Sequence, residues 1–357
     1  MTLIIKRLSL FYTIFKLKDF CFMKKYKVGI LGASGAVGRE MIKVLEERNF
    51  PIDELKLFAS PRSVGKEVLF NGKSIKIELA QLGAFKGLDF VLGAASNAVA
   101  KEFADDIVKC GAVFIDNSSA FRMDPDIPLV VPEINAQDAK NNKKGIIANP
   151  NCSTIITLVA VNAINKLSKI KAIVASTYQA TSGAGAAGPV ELEEQMNALV
   201  NGGEINVSVF QYQIAENLIP QIGSFLDNGY TTEEMKMQNE GRKILHNPEL
   251  KVTCTCVRVP VVRSHSISAT VITEDKLTVD EVKNAIAACS GCKLYDDPEN
   301  KVYPMPLVTS DQDLVFVGRI REDIVNDNAI TLWCCGDQVR KGAATNAIQI
   351  AEALIEK

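Results

Sequence analysis

The chain is short of histidine, with two in 357 residues. Any imidazole chemistry near neutral pH therefore falls to His246 or His265. A charge excess is also missing: 40 Lys and Arg against 42 Asp and Glu give a formal charge of -2, and nothing in that balance points to nucleic acid. Internal repeats and low-complexity runs are lacking, and 47% hydrophobic with 23% charged residues excludes a disordered chain. The nine cysteines are odd in number and scattered, unlike the dense even framework of a small secreted domain. Free thiols and a cytoplasmic location are expected. Cys254 and Cys256, Cys289 and Cys292, and Cys334 and Cys335 form close pairs, but no histidine accompanies them at finger-like spacing, so no metal site is expected.

Residues 1–22 mix aromatic and aliphatic residues with Lys6, Arg7, Lys16 and Lys18. Basic residues interrupt the apolar runs, which leaves neither a signal-peptide core nor a membrane span in that stretch. The segment reads as a dispensable extension with Met23 as an internal start, or as a targeting element. For the rest, the length favours two domains.

From Lys27 onward short apolar runs alternate with amphipathic stretches, the pattern of a doubly wound parallel sheet. Strands are expected at Val28–Leu31, Leu55–Ala59, Phe90–Ala94, Val113–Ile115 and Gly145–Ala148, with helices over Ala36–Arg48 and Ala98–Lys109. A long apolar helix is expected at Ile155–Leu167. Beyond it, Lys171–Tyr178, Lys251–Val259 and Ile267–Ile272 are β-branched and hairpin-like, which suggests a mixed or antiparallel sheet. Lys341–Glu356 has the period of a C-terminal helix.

Gly32, Gly35 and Gly38 sit between the first strand and the first helix, where backbone amides and a helix N-terminus can receive a pyrophosphate. Ile30 stands where the usual spacing has its first glycine, so the loop is either a dinucleotide site or a packing turn. After the second strand the chain reads Ala59-Ser60-Pro61-Arg62-Ser63, with no acid for a ribose hydroxyl. An arginine with flanking hydroxyls suits a 2′-phosphate and hence NADP; the alternative is a solvated turn arginine.

Cys152, in Asn149-Pro-Asn-Cys-Ser-Thr154, falls where a strand ends and the apolar helix begins. There the unpaired amides and the helix dipole are expected to lower its pKa and to stabilise an oxyanion on a carbon bonded to it; the alternative is an inert packing thiol. His246 reads as a solvated loop residue. His265 follows Arg258-Val-Pro-Val-Val-Arg263-Ser264, and a continuous strand would put Arg258 and His265 on opposite faces. Pro260 makes a bend, which can aim both into one cleft or neither.

Taken together, several motifs in order resemble the aspartate-semialdehyde dehydrogenase family, from about Lys27 to the C-terminal helix. They are Gly32-Ala-Ser-Gly-Ala-Val-Gly38, Asp116-Asn-Ser-Ser-Ala-Phe-Arg122, Asn149-Pro-Asn-Cys-Ser-Thr154, Ser176-Thr-Tyr-Gln-Ala-Thr-Ser-Gly-Ala-Gly185, Tyr303-Pro-Met-Pro306, Val317-Gly-Arg-Ile-Arg321 and Arg340-Lys-Gly-Ala-Ala-Thr-Asn346. The resemblance implies a Rossmann-type α/β domain over residues 23–150 and an α+β catalytic and dimerisation domain of mixed sheet over 151–335. Residues 336–357 then form a helix returning to the first domain.

It also implies reversible, NADPH-dependent reductive dephosphorylation of L-aspartyl 4-phosphate to L-aspartate 4-semialdehyde through a cysteine thioester, in a homodimer. On this resemblance Cys152 is the nucleophile, His265 the acid/base that takes the thiol proton, and Gln179 the residue that orients the substrate. Arg122, Asn151 and Lys236 fall to the phosphate and substrate, Arg258 to the substrate carboxylate, and Glu233 to its ammonium. Cofactor contacts carry over to Ser34, Gly35, Ala36, Val37, Arg62, Ser63, Ser182, Gly183 and Gln338. Without the family, Glu233 and Lys236 would read as an exposed helix pair. The rival readings are an N-acetyl-glutamyl-phosphate reductase, whose substrate has no ammonium for Glu233, and a non-enzymatic NADPH-binding thiol sensor using Cys152 with Cys289 and Cys292.

Overall fold

In the computed structural model, which describes residues 24–355, the apolar runs of the first part of the chain become one sheet. Its strands are β1 (Tyr26–Leu31), β2 (Ile52–Ala59), β3 (Glu67–Phe70), β4 (Lys73–Leu79), β5 (Phe90–Gly93), β6 (Val113–Asp116) and β7 (Ile146–Ala148), in the order β3-β4-β2-β1-β5-β6-β7. All neighbours are parallel except the β3–β4 hairpin. The crossovers carry α1 (Ala36–Glu47), α2 (Asn97–Lys109) and α3 (Pro132–Lys140). Helices on both faces explain why the strands read as continuous apolar runs. Val28 and Ile30 pack with Met41, Val44 and Leu45 of α1, while Leu31 faces Phe103 and Ile107 of α2. The strand order reverses at β1, which has β2 on one side and β5 on the other, and a crevice opens there beyond the strand ends.

The second sheet contains β8 (Ile170–Gln179), β9 (Lys251–Arg258), β10 (His265–Thr273), β11 (Cys292–Leu294), β12 (Val315–Glu322) and β13 (Ala329–Gly336), ordered β11-β12-β13-β10-β8-β9. The sheet is mixed, but the hairpin expectation needs correction. β8 and β9 pair in parallel, because α5 (Ala187–Asn201) and α6 (Thr232–Ile244) intervene, and β10 pairs with β8 and β13 instead of β9. A further helix, α7 (Val279–Ala288), leads into β11.

Between the sheets runs α4 (Cys152–Asn165), buried at every position from Ser153 to Ile164. A helix apolar all round can only be interior, and each fully buried Ile, Leu or Val contributes roughly 1.5–3 kcal/mol. This helix begins three residues earlier than expected, so Cys152 lies in its first turn. The C-terminal helix also starts later than expected: Arg340–Ala344 forms a π-helical turn, and α8 (Thr345–Ile355) follows. Ala347, Ile348, Ile350 and Ala351 of α8 pack into the α1 face of the first sheet. The extension at residues 1–22 and Glu356 lie outside the described residues. No described helix is long and apolar enough to cross a membrane.

Candidate active site

Asn151 is the N-cap of α4, its side chain accepting from the Thr154 amide at 3.2 Å, and this seats Cys152 at the first helical position. β9 ends at Arg258, in register with Gln179 on β8, and the chain turns through Pro260 before β10 starts at His265. The bend therefore brings Arg258 and His265 together. A methyl at Gly183 would stand 2.8 Å from Arg258 Nη1 and 3.1 Å from His265 Cε1. Across the resulting gap Cys152 Sγ lies 3.4 Å from His265 Nε2, while the Ala180 amide donates to His265 Nδ1 at 3.0 Å. A backbone N–H can only donate, so the neutral ring carries its proton on Nε2, facing the sulfur. The π-helical turn closes another wall: a methyl at Gly342 would come within 2.8 Å of Cys152 Cβ, so only glycine allows this approach.

The electrostatics correct one expectation. Burial, then the Glu233 carboxylate, push the Cys152 thiol up to about 11, against the pull of Arg122, Lys236 and Arg258. Desolvation in the ligand-free pocket outweighs the favourable helix end. Burial and the Arg258 cation together hold His265 down at about 3, against Glu233. The resting pair is thus a neutral thiol and a neutral imidazole. Glu233 is itself buried, and burial would raise its carboxyl, but Lys236 at 2.8 Å, Asn151 Nδ2 at 2.9 Å and Gln179 Nε2 at 3.3 Å outweigh this and hold it at about 2. The reading of Glu233 and Lys236 as an exposed pair fails because α6 turns this face inward.

A cleft of about 250 Å³ has Ala36, Val37, Arg122, Asn151, Cys152, Ser182, Gly183 and Gln338 in its wall. Gln338 accepts from the Ser264 amide at 2.8 Å and donates to Ser182 Oγ, tying the Ser182 turn to the residue before His265. Arg258 is buried, its Nη1 donating to Ala180 O at 2.6 Å. Gln179 is buried beside Glu233 at the end of β8, and Lys236 lines an adjoining cavity that shares Arg122. Beyond the strand ends a second cleft, of about 380 Å³, is lined by Gly32, Ser34, Gly35 and Ser60. Gly32 has a φ of +90°, and a methyl at Gly38 would collide with the Gly32 carbonyl, so the first turn of α1 packs directly on the loop. This cradle and the α1 N-terminus fit a dinucleotide. Arg62, exposed, and Ser63, buried, lie outside its walls in the turn directly after Ser60.

Of the expected site residues, then, all but Arg62 and Ser63 converge on one clustered region or its nucleotide cleft. His246 sits apart on the surface, paired with Asp138 at 2.9 Å. The eight described cysteines are free; Cys292 is buried and Cys289 half-buried, with Cys289 lowered to about 6, chiefly by the neighbouring Cys292 thiol. Two residues to which the sequence reading gave no role belong to the site. Asn117 lines the thiol cleft and accepts from Asn149 at 2.8 Å. Glu240 bonds Arg122 at 3.0 Å and the Asn151 amide at 2.7 Å. Its spacing of seven from Glu233, on the same helical face, was the available signal.

Comparison with known proteins agrees with this architecture. Residues 27–142 match the family profile described as semialdehyde dehydrogenase, NAD binding domain, and residues 161–341 the one described as semialdehyde dehydrogenase, dimerisation domain. The aspartate-semialdehyde dehydrogenase of Aquifex aeolicus is 49% identical over 335 residues, covering 93% of this chain and 98% of that protein. That of Bacillus subtilis is 46% identical, with 92% and 96% covered. The crystal structure of aspartate semialdehyde dehydrogenase II from Vibrio cholerae, complexed with ASA, superposes with a TM-score of 0.90 at 43% identity, covering 93% of this chain and 98% of that one. With two family profiles, relatives of nearly full length and a matching fold, the chain belongs to the aspartate-semialdehyde dehydrogenase family of oxidoreductases.

Proposed function

We propose that this chain interconverts L-aspartyl 4-phosphate and L-aspartate 4-semialdehyde plus phosphate, with NADP as cofactor and a thioester on Cys152. The product would feed the aspartate pathway to lysine, threonine, methionine and isoleucine in the cytoplasm. The observation that carries this reading is the 3.4 Å approach of Cys152 Sγ to His265 Nε2 at the start of a buried helix, beside Arg122, Lys236 and Arg258.

In the reductive direction Cys152 Sγ attacks the acyl carbon, the carbon–oxygen bond to phosphate breaks, and phosphate leaves toward Arg122 and Lys236. Arg258 holds the α-carboxylate and Glu233 the ammonium, while Gln179 orients the chain between them. Pairing Arg258 with a carboxylate removes the cation that depresses His265, so substrate binding raises the basicity of the ring beside the thiol. Accepting the thiol proton at Nε2 also requires the ring proton to move to Nδ1 and the Ala180 contact to open. The turn after Ala180 bears Ser182 and Gly183, which line the cofactor side of the cleft. His265 then serves the substrate oxygen; once the acyl group is reduced, that oxygen's electron pair expels the Cys152 sulfur, the carbon–sulfur bond breaks, the aldehyde leaves and the thiolate takes its proton back from His265. NADPH, when bound, supplies the hydride that reduces the acyl group. Ser34 to Val37, Ser182, Gly183 and Gln338 would hold it, with Arg62 and Ser63 at the 2′-phosphate.

The profile described as a dimerisation domain, over residues 161–341, supports a homodimer. The proposed division into 23–150, 151–335 and 336–357 is supported by the first sheet lying within residues 26–148, the second within 170–336 and the last helix over Thr345–Ile355. The test is NADPH formation from aspartate semialdehyde, phosphate and NADP, run beside Cys152→Ala. Phosphate-dependent turnover that the alanine abolishes is expected. A folded wild type that turns over only the N-acetyl-glutamyl substrate, or a fully active alanine variant, would sink the assignment.

A further inference from the structure

Helix α6 presents Glu233, Lys236, Glu240 and Lys243 on one face, at steps of three, four and three residues. Glu233 and Lys236 have roles in the proposed reaction. Glu240 and Lys243 have none, yet both are spent on the segment that carries Arg122. Lys243 Nζ donates to the carbonyls of Arg122, Asp124 and Ile127 at 2.8, 2.6 and 2.7 Å. Glu240 is only 2% exposed; one of its oxygens accepts from Arg122 Nη1 at 3.0 Å and the other from the Asn151 amide at 2.7 Å.

The Arg122 guanidinium has two more protein partners. Its Nε donates to Asn149 O at 3.0 Å and its Nη2 to Asn117 O at 2.8 Å. Three acceptors around a rigid plane fix its orientation and leave two of its five N–H groups for a ligand. Two of these acceptors, Asn149 O and the Glu240 carboxylate, also belong to the loop that ends in Cys152 or bond directly to it.

We infer that Glu240 is a positioning residue, which holds the Arg122 guanidinium in register with the Cys152 loop so that the anion on Arg122 and the carbon attacked by the thiol keep a fixed separation. Glu240 is absent from the wall of the thiol cleft; it stands in the wall of the adjoining cavity with Arg122 and Lys236, and acts through its bonds to Arg122 and the Asn151 backbone. The inference rests on the proposed role of Arg122 as the phosphate site. Charge alone would act in the opposite direction: deleting a carboxylate beside an anion site strengthens the attraction for phosphate. A loss of phosphate affinity on neutralising Glu240 therefore reports lost geometry.

The experiment compares wild type, Glu240→Gln, Arg122→Leu and the double variant for phosphate KM and semialdehyde KM in the oxidative direction. A glutamine presents one donor where two acceptors are needed, so Glu240→Gln should raise the phosphate KM about tenfold or more and the semialdehyde KM less than about threefold. On the Arg122→Leu background the same change should have less than about a twofold effect. Glu240→Asp, which keeps the charge, should recover part of the loss and replaces the glutamine variant if that fails to fold. An unchanged or lower phosphate KM, an equal loss for every substrate, or an undiminished effect without Arg122 would overturn the inference.

Should wild type not turn over the semialdehyde, the functional reading falls, and the inference is read instead from protection of Cys152 against iodoacetamide by inorganic phosphate. A half-protecting concentration that rises to the same degree in Glu240→Gln supports it. Equal protection in both proteins, or none in wild type, overturns it.

Discussion

Cys152 Sγ and His265 Nε2 lie 3.4 Å apart although 113 residues separate them in the chain. One sits at the start of α4 and the other at the start of β10, so the pair exists only because α4 packs along the second sheet and brings the two starts together. Both groups are neutral in the ligand-free protein, for the same reason: each would have to carry its charge in a desolvated gap.

The first expectation concerns the thiol. Labelling of Cys152 by iodoacetamide should be slow at neutral pH and accelerate with rising pH toward about 11. Glu233 is the second cause of the raised value, so Glu233→Gln should speed labelling at neutral pH by roughly three- to tenfold. The rate is read by mass spectrometry of the Cys152 peptide. A slower rate in the variant would contradict the sign of this interaction.

The second concerns the imidazole, and a chain with two histidines gives a simple spectrum. Nitrogen-15 correlation spectra of the ligand-free protein should show His265 with Nε2 protonated and Nδ1 bare, because the Ala180 amide occupies Nδ1. The ring should stay neutral down to about pH 3. Linkage then sets the acid stability. The unfolded chain protonates this histidine near its ordinary 6.5 and Glu233 near 4.5, whereas the folded protein resists until about 3 and about 2. Stability should fall as pH drops from about 6.5 to 3 through His265, and from about 4.5 to 2 through Glu233. Acid unfolding of His265→Asn should lose the first of these windows and keep the second.

The third concerns cofactor choice. Arg62→Ala should raise the KM for NADP about tenfold and leave that for NAD within about twofold, since only the first carries the 2′-phosphate. Steady-state rates with both cofactors decide it. An equal change for both would return Arg62 to a solvated turn residue.

The fourth concerns stability at the π-helical turn. Lys341 is fully buried and gives its Nζ to both Glu133 oxygens at 2.7 Å, to Asn346 Oδ1 at 3.0 Å and to Gln349 Oε1 at 2.6 Å. Asn346 in turn donates to Asn149, three residues before the thiol. Lys341→Met strands the Glu133 charge and should cost about 3–5 kcal/mol in urea unfolding, with much of the loss recovered by adding Glu133→Gln.

By itself the amino-acid sequence determined what depends on neighbours along the chain. The parallel strands were visible as apolar runs, the nucleotide turn as glycines between a strand and a helix, and Cys152 by its place at a helix start. The order of the motifs then identified the family. The remainder depended on groups far apart in sequence. The runs that became β8, β9 and β10 all read as hairpin-like, and only the two helices between β8 and β9 made that one pairing parallel. Glu233 and Lys236 looked exposed until α6 turned their face inward, and Glu240 carried no motif at all. The thiol pKa changed sign for the same reason: a helix end acts locally, whereas desolvation sums over every wall of a pocket, and those walls come from five separate stretches of chain.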